Sequence, residues 1–128
     1  IMVINKDTKQ VELFEPHGSR TSSSELGGVK GAYNKKKRIL QKFFHEIIPD
    51  YEIVNVVDVV KGSRFQTYHD PKGHSGFCVT WSILYFNYRL LNPRVPLVQL
   101  VKHIDQKITT RLLLQYARYI ELLIKDNK

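Results

Sequence analysis

The sequence predicts an α+β fold in which a small β-sheet packs against helices. Strand-like patterns lie in residues 1–60, where apolar residues either alternate or form β-branched runs, with a short extended piece at 64–68. From residue 78 onward the apolar residues recur at helical spacing instead. Strands early in the chain and helices late are typical of α+β domains. With 128 residues, of which 42% are hydrophobic, residues 1–128 are predicted to form a single domain with a C-terminal helical segment.

The first two strands are predicted to form a hairpin. Residues 1–5 and 10–14 each alternate apolar side chains with others, and the polar residues between them predict a turn. Pro16 ends the second strand, because proline cannot donate a hydrogen bond to the ladder. Residues 19–31 are rich in Ser and Gly, so this segment is predicted to be a surface loop.

A helix and a third strand are predicted next. Residues 34–48 have an amphipathic pattern, with Asn34 as the N-cap and Ile39, Phe43 and Ile47 on one apolar face. Residues 51–60 are rich in Val and Ile, which predicts a buried strand.

Three helices are predicted in the last part of the chain. They run from Cys78 to Leu91, from Pro96 to Lys107, and from Thr109 or Thr110 to Lys125. Asn92-Pro93 stops the first of them, and one of the two threonines is expected to cap the last.

The chain is basic, with a formal net charge of +8. Solvated helix faces are the favoured interpretation, because nucleic-acid modules usually interleave stacking aromatic residues with their basic ones. The alternative is contact with acidic partners, including weak nucleic-acid contact through the basic surface.

The remaining composition limits the function classes. A single cysteine excludes an internal disulfide and any zinc site built on several cysteines, and it indicates a reducing compartment. No cofactor and no metal site are expected, and no apolar run is long enough to predict a membrane span. Because Ile1 lies inside an apolar strand and is not a Met, we expect the chain to be truncated at its N-terminus.

Cys78, the only thiol, is the candidate nucleophile. It follows the Gly-containing run of residues 74–77 and opens an apolar helical segment, so it is predicted to lie near a helix N-terminus. Free backbone N–H groups at such a position favour a thiolate. The alternative is an inert cysteine packed in the core, which is a common environment for this residue.

Two motifs extend this hypothesis. The chain contains Phe14-Glu15-Pro16-His17-Gly18 and, later, Gly76-Phe77-Cys78-Val79-Thr80-Trp81-Ser82. In this order they resemble a family of cysteine-protease-like proteins of large nucleocytoplasmic DNA viruses. That family is in turn similar to the clan of SUMO and ubiquitin-like-protein proteases and the adenovirus protease. The resemblance covers residues 1 to about 93.

The resemblance implies a papain-like, ubiquitin-like-protease-type cysteine protease core and three site residues. Cys78 matches the nucleophile, Glu15 the acid that orients a catalytic histidine, and Gln66 the oxyanion donor. The histidine itself is expected about fifteen residues before Glu15, which falls just upstream of Ile1.

Two functions follow as expectations. The first is a thiol peptidase or isopeptidase that acts on a polyprotein or on ubiquitin-like conjugates. The alternative is a catalytically inactive protease-like fold that serves as a minor capsid or virion protein beside other capsid proteins. The resemblance implies the host cytoplasm or the virion as the location. A nucleic-acid-binding module remains a third reading.

Other polar residues have structural interpretations. Three histidines near the motifs are interpreted as turn or exposed loop residues: His17, His69 and His74. Trp81 is expected to pack in the core beneath the site, and Arg89 is expected to pair with Asp105 or Glu121 of a later helix.

Overall fold

A computed structural model describes residues 1–16, 27–60, 65 and 77–126, with the backbone alone for residues 27–36. Within these residues the chain forms a three-stranded sheet and four α-helices. In chain order the elements are β1 (Met2–Asn5), β2 (Gln10–Leu13), α1 (Gly27–Ile47), β3 (Glu52–Asn55), a 3₁₀ turn (Val56–Asp58), α2 (Phe77–Leu91), α3 (Leu97–Lys107) and α4 (Thr110–Asp126). The predicted α+β class is confirmed.

The strand order in the sheet is β1-β2-β3. β1 and β2 form the predicted antiparallel hairpin, in which Met2 pairs with Leu13. The turn between them is closed by Asn5, whose Oδ1 accepts hydrogen bonds from the backbone N–H groups of Asp7 and Thr8 at 3.0 and 3.2 Å. β3 pairs with β2 in parallel. A parallel pair needs a crossover connection, and α1 lies in that connection.

The third strand is shorter than predicted. It ends at Asn55, where the chain turns into the 3₁₀ segment. The side-chain amide of Asn55 donates a hydrogen bond to the Asp58 carboxylate, and this bond bridges the turn. The turn buries Val56 and Val57 in the core.

α1 also differs from its prediction. It begins at Gly27, so Asn34 lies inside the helix and is not its cap. Glycine has poor helix propensity, but each added residue extends a helix that the following sequence already nucleates. The apolar face proposed for this helix is exposed, whereas the neighbouring Phe44 is buried.

The core lies between the sheet and helices α2 and α3. Its centre is an aromatic stack in which the rings of Phe14 and Tyr85 lie 4.5 Å apart and nearly parallel. Phe65 contacts both Phe14 and Trp81, so Trp81 packs in the core as expected. The two last helices run close to their predicted bounds, and the Thr109 Oγ1 caps α4 by accepting the Leu112 N–H at 3.3 Å.

Candidate functional site

Cys78 is the second residue of α2, which begins one residue before the predicted start at Cys78. It is half-buried and is not part of a disulfide. The N–H groups in the first turn of a helix have no partner within the helix, so they can bind an anion that forms there. The position therefore suits a nucleophile whose reaction develops negative charge on a neighbouring atom.

Glu15 lies two residues beyond the end of β2 and is half-buried. It lines a cavity of about 320 Å³ between the hairpin and α1. Lys37 and Leu40 of α1 form one wall, and Met2 and Phe14 belong to the hairpin side. Glu15 and Lys37 are the residues of this lining that have charged side chains.

The contacts of β2 and the residue after it with α2 relate Glu15 to Cys78. Glu12, the third of the four residues of the strand, contacts Tyr85 and Arg89 of α2. Phe14, two residues later, stacks on Tyr85 and reaches Trp81 through Phe65. Glu12 and Phe14 therefore both pack against Tyr85 in the middle of α2, and Trp81, one turn nearer to Cys78, lies behind Phe65.

A buried ionic cluster of Glu12, Tyr85 and Arg89 holds this arrangement. The Arg89 guanidinium contacts both carboxylate oxygens of Glu12, with Nη2–Oε1 at 2.7 Å and Nε–Oε2 at 2.9 Å. The Tyr85 hydroxyl donates a further hydrogen bond to Oε2. All three side chains are buried, and the hydrogen bond from Nε to Oε2 is assisted by the charges of both groups.

Arg89 also fixes the loop after α2. Its Nη1 donates hydrogen bonds to the carbonyl oxygens of Asn92 and Val95 at 3.0 and 2.7 Å. The side-chain amide of Asn5 donates to the carbonyl oxygen of Pro93 in the same loop at 2.8 Å. The prediction that Arg89 pairs with Asp105 or Glu121 is therefore wrong, because its carboxylate partner comes from the sheet.

The cluster keeps Tyr85 protonated. Burial, and next the hydrogen bond to Glu12, raise the pKa of the Tyr85 hydroxyl far above its ordinary value. Tyr85 is therefore a hydrogen-bond donor throughout the neutral range. A signal for the cluster existed in the sequence: Arg89 is the one ionisable Lys, Arg, Asp or Glu in residues 77–91, and a charge buried in an apolar helix needs a partner.

Several predicted site residues lie outside the described part of the chain. Gln66, the proposed oxyanion donor, is one of them, and so are three of the histidines: His17, His69 and His74. The other two histidines are on helices: His45 in α1, and His103 in α3, where its ring lies 6.0 Å from that of Tyr88. Among the described residues, no group of three or more His, Cys, Asp or Glu side chains is placed to hold a metal ion.

Comparisons with protein-family models, with curated proteins and with solved structures each give no match to this chain. Within the described residues, the helices are too short or too polar to cross a bilayer.

Proposed function

We propose that this chain is a cysteine-peptidase-like domain of the kind found in large DNA viruses, in which Cys78 is the nucleophile and Glu15 orients the general base. The observation that carries the proposal is the packing of β2 and the residue after it against α2. Glu12 and Phe14 contact Tyr85 of the helix whose first turn carries the only thiol of the chain, and Glu15 is the next residue after Phe14.

The register of the hairpin indicates where a histidine that acts as the general base could lie. The ladder extends past β1 to Ile1, since the N–H of Phe14 donates to the Ile1 carbonyl oxygen at 2.9 Å and the Ile1 nitrogen donates to the Phe14 carbonyl oxygen at 2.9 Å. One more step along the ladder would put a residue directly upstream of Ile1 across from Glu15. Side chains in such cross-strand pairs interact directly. A histidine at that position would therefore have Glu15 as its neighbour.

The proposed reaction is hydrolysis through an acyl-enzyme. The Cys78 sulfur attacks the substrate carbonyl carbon while its proton passes to the histidine, and the carbonyl electrons move to oxygen. The backbone N–H of Cys78 and the Gln66 amide would bind that oxyanion. The C–N bond then breaks as the histidine protonates the leaving amine. Water, deprotonated by the histidine, releases the acid and regenerates the thiol.

The reactivity of Cys78 gives a test that needs no substrate. Because the chain has one cysteine, alkylation by iodoacetamide reports on this thiol alone. We expect the folded protein at neutral pH to react at least about tenfold faster than the same protein unfolded in urea, since a helix start activates a thiol. Slower alkylation of the folded form would identify Cys78 as an inert structural residue.

Catalysis is tested with a histidine placed directly before Ile1. We expect this protein to hydrolyse fluorogenic peptides or a ubiquitin C-terminal coumarin amide. Glu15→Gln should reduce kcat by at least about 100-fold, because the orienting acid of a triad contributes that much or more. Glu121→Gln, an exposed change on α4, is the matched control. Hydrolysis that persists in Cys78→Ala would overturn the assignment.

A structural role is the second candidate, and one observation favours it. Ile39, Phe43 and Ile47 form an exposed stripe along α1, with 60%, 53% and 58% of their surfaces accessible. Such a stripe suits packing against neighbouring capsid proteins. In this case Phe43→Asp would abolish incorporation into particles while Cys78→Ala would leave it unchanged, and Gln41→Asp on the same helix is the control.

A further inference from the structure

A groove between α2 and α4 lies away from Cys78 and has a volume of about 760 Å³. Leu90 and Leu91 line it on α2, and Leu112 and Tyr116 line it on α4. Leu91 is 81% exposed, which is unusual for a leucine at the end of a core helix. The groove is therefore an open apolar surface formed by two packed helices.

Seven of the apolar residues of α4 form two parallel seams. Leu113, Ala117 and Ile120 make up the inner seam, which turns toward the core, where Leu113 is buried. The outer seam follows the same 4-3-4 spacing: Leu112, Tyr116, Tyr119 and Leu123. This spacing is the one that helices use to pack side by side.

Much of the outer seam is exposed in the part of the chain that the structure describes. Leu112, Tyr119 and Leu123 are exposed, although α2 and the core cover the inner seam. When the apolar face of a helix is too wide for one neighbouring helix to cover, the helix typically has two partners. The outer seam continues the groove along α4, so the shape of the surface fits a second helix lying beside α4.

The charge of the surrounding surface indicates which kind of partner helix would bind. Residues 77–126 present six exposed Lys and Arg side chains and two exposed Asp and Glu side chains. Arg111 and Arg118 are seven residues apart, so they lie on one side of α4, at the edge of the outer seam. With a net charge of +8, a second copy of the chain would be repelled. An acidic partner would be attracted.

Polar groups within the groove argue for protein over lipid. Asn87 donates a hydrogen bond to the Tyr116 hydroxyl, and Gln115 also faces the groove. Side-chain amides placed against lipid chains would lose hydrogen bonds, which is costly. A polar helix can supply partners for them.

We propose that the groove between α2 and α4 binds an acidic amphipathic helix of a partner protein. The apolar side chains of that helix, such as leucines, pack on Leu91, Leu112, Tyr116 and Tyr119. Arg111 and Arg118 pair with carboxylates along its edge. This interaction does not involve Cys78 or Glu15, so it stands whether or not the chain is a peptidase.

The test uses synthetic peptides of about three heptads. One has Leu at the a and d positions and Glu at the flanking positions, and the other is identical except that Lys replaces Glu. Binding to the whole protein is followed by fluorescence anisotropy. We expect micromolar binding of the acidic peptide and at least about tenfold weaker binding of the basic one, because opposite charges across an interface discriminate between partners.

Two leucines of α4 give a matched pair of variants. Leu112, in the outer seam, is 46% exposed, and Leu114, on the opposite side of the helix, is 43% exposed. We expect Leu112→Asp to weaken binding of the acidic peptide by at least about tenfold and Leu114→Asp to leave this binding unchanged. Tyr119→Ala is a second seam variant, and circular dichroism verifies that each variant is folded.

Four outcomes would overturn the proposal. One is equal weakening by Leu112→Asp and Leu114→Asp. A second is no binding of the acidic peptide at about 1 mM. A third is a dimer in sedimentation equilibrium that Leu112→Asp disperses, which would make a second copy the occupant. The fourth is binding to anionic phosphatidylserine vesicles, lost in Leu112→Asp, which would make the surface a membrane contact.

Discussion

At the scale of single residues, the buried pair of Glu12 and Arg89 determines how the sheet meets α2. Each side chain is almost completely inaccessible, so neither charge can be solvated if the other is removed. A charge left alone in this way destabilises a protein more than the intact pair stabilises it. The pair therefore makes the docking of β2 on α2 specific.

Removing one partner should be more damaging than removing both. We expect Glu12→Leu or Arg89→Met alone to lower the free energy of unfolding by about 3–5 kcal/mol, since each leaves a buried charge unpaired. The double variant should lose less than the sum of the two. The double variant should not regain the full stability of the wild type, because Arg89 also binds the carbonyl groups of Asn92 and Val95.

Urea unfolding of the four proteins in a double-mutant cycle measures this coupling. The exposed change Glu121→Leu serves as the control and should shift stability by no more than about 0.5 kcal/mol. Strict additivity of the two single effects would show that the side chains do not act as a pair.

Tyr85 gives the cluster a pH dependence at the alkaline end. Its pKa is raised by burial and by Glu12, so the folded protein holds this proton more tightly than the unfolded chain does. The stabilisation is complete below about pH 10, the value for an unfolded tyrosine, and is lost as the pH rises beyond it.

The expected result is a steeper alkaline loss of stability in the wild type than in Tyr85→Phe. Urea midpoints measured from about pH 8 to about pH 11 give the two slopes. Tyr119→Phe, at an exposed position of α4, should follow the wild type. If stability fell equally steeply with pH in Tyr85→Phe and in the wild type, the cluster would not be holding the Tyr85 proton.

At the scale of elements, local patterns predict what depends on neighbouring residues in the chain. The hairpin and the last three helices follow from alternation and periodicity, and each is confirmed to within a few residues. The early end of β3 was missed because a bond between the Asn55 and Asp58 side chains sets it. The α1 start was missed because glycines resemble a loop when read locally.

In the candidate site too, features that depend on local sequence could be predicted and features that depend on tertiary packing could not. The place of Cys78 in the first turn of α2 depends on local sequence and could be predicted. The partner of Arg89 could not, because Glu12 lies 77 residues away in the chain and no helical or strand period relates the two. Tertiary packing decides such pairs, and a single sequence carries only the hint of an isolated charge in an apolar helix.

At the scale of the whole molecule, the surface and the interior respond differently to salt. The net charge of +8 creates repulsion among exposed basic residues, and ions screen it. The pair of Glu12 and Arg89 is buried, so ions cannot reach it. Salt should therefore stabilise the protein by relieving surface repulsion while leaving the interior pair unaffected.

The double variant Glu12→Leu with Arg89→Met separates these contributions, because it removes one charge of each sign and keeps the net charge at +8. Raising NaCl from about 0.05 to about 0.5 M shortens the screening length several-fold and should increase the urea midpoint of both proteins equally. A smaller increase in the wild type would mean that salt weakens the pair and that water reaches it. Equal increases would confirm that the sheet and α2 are joined by an ion pair closed to solvent.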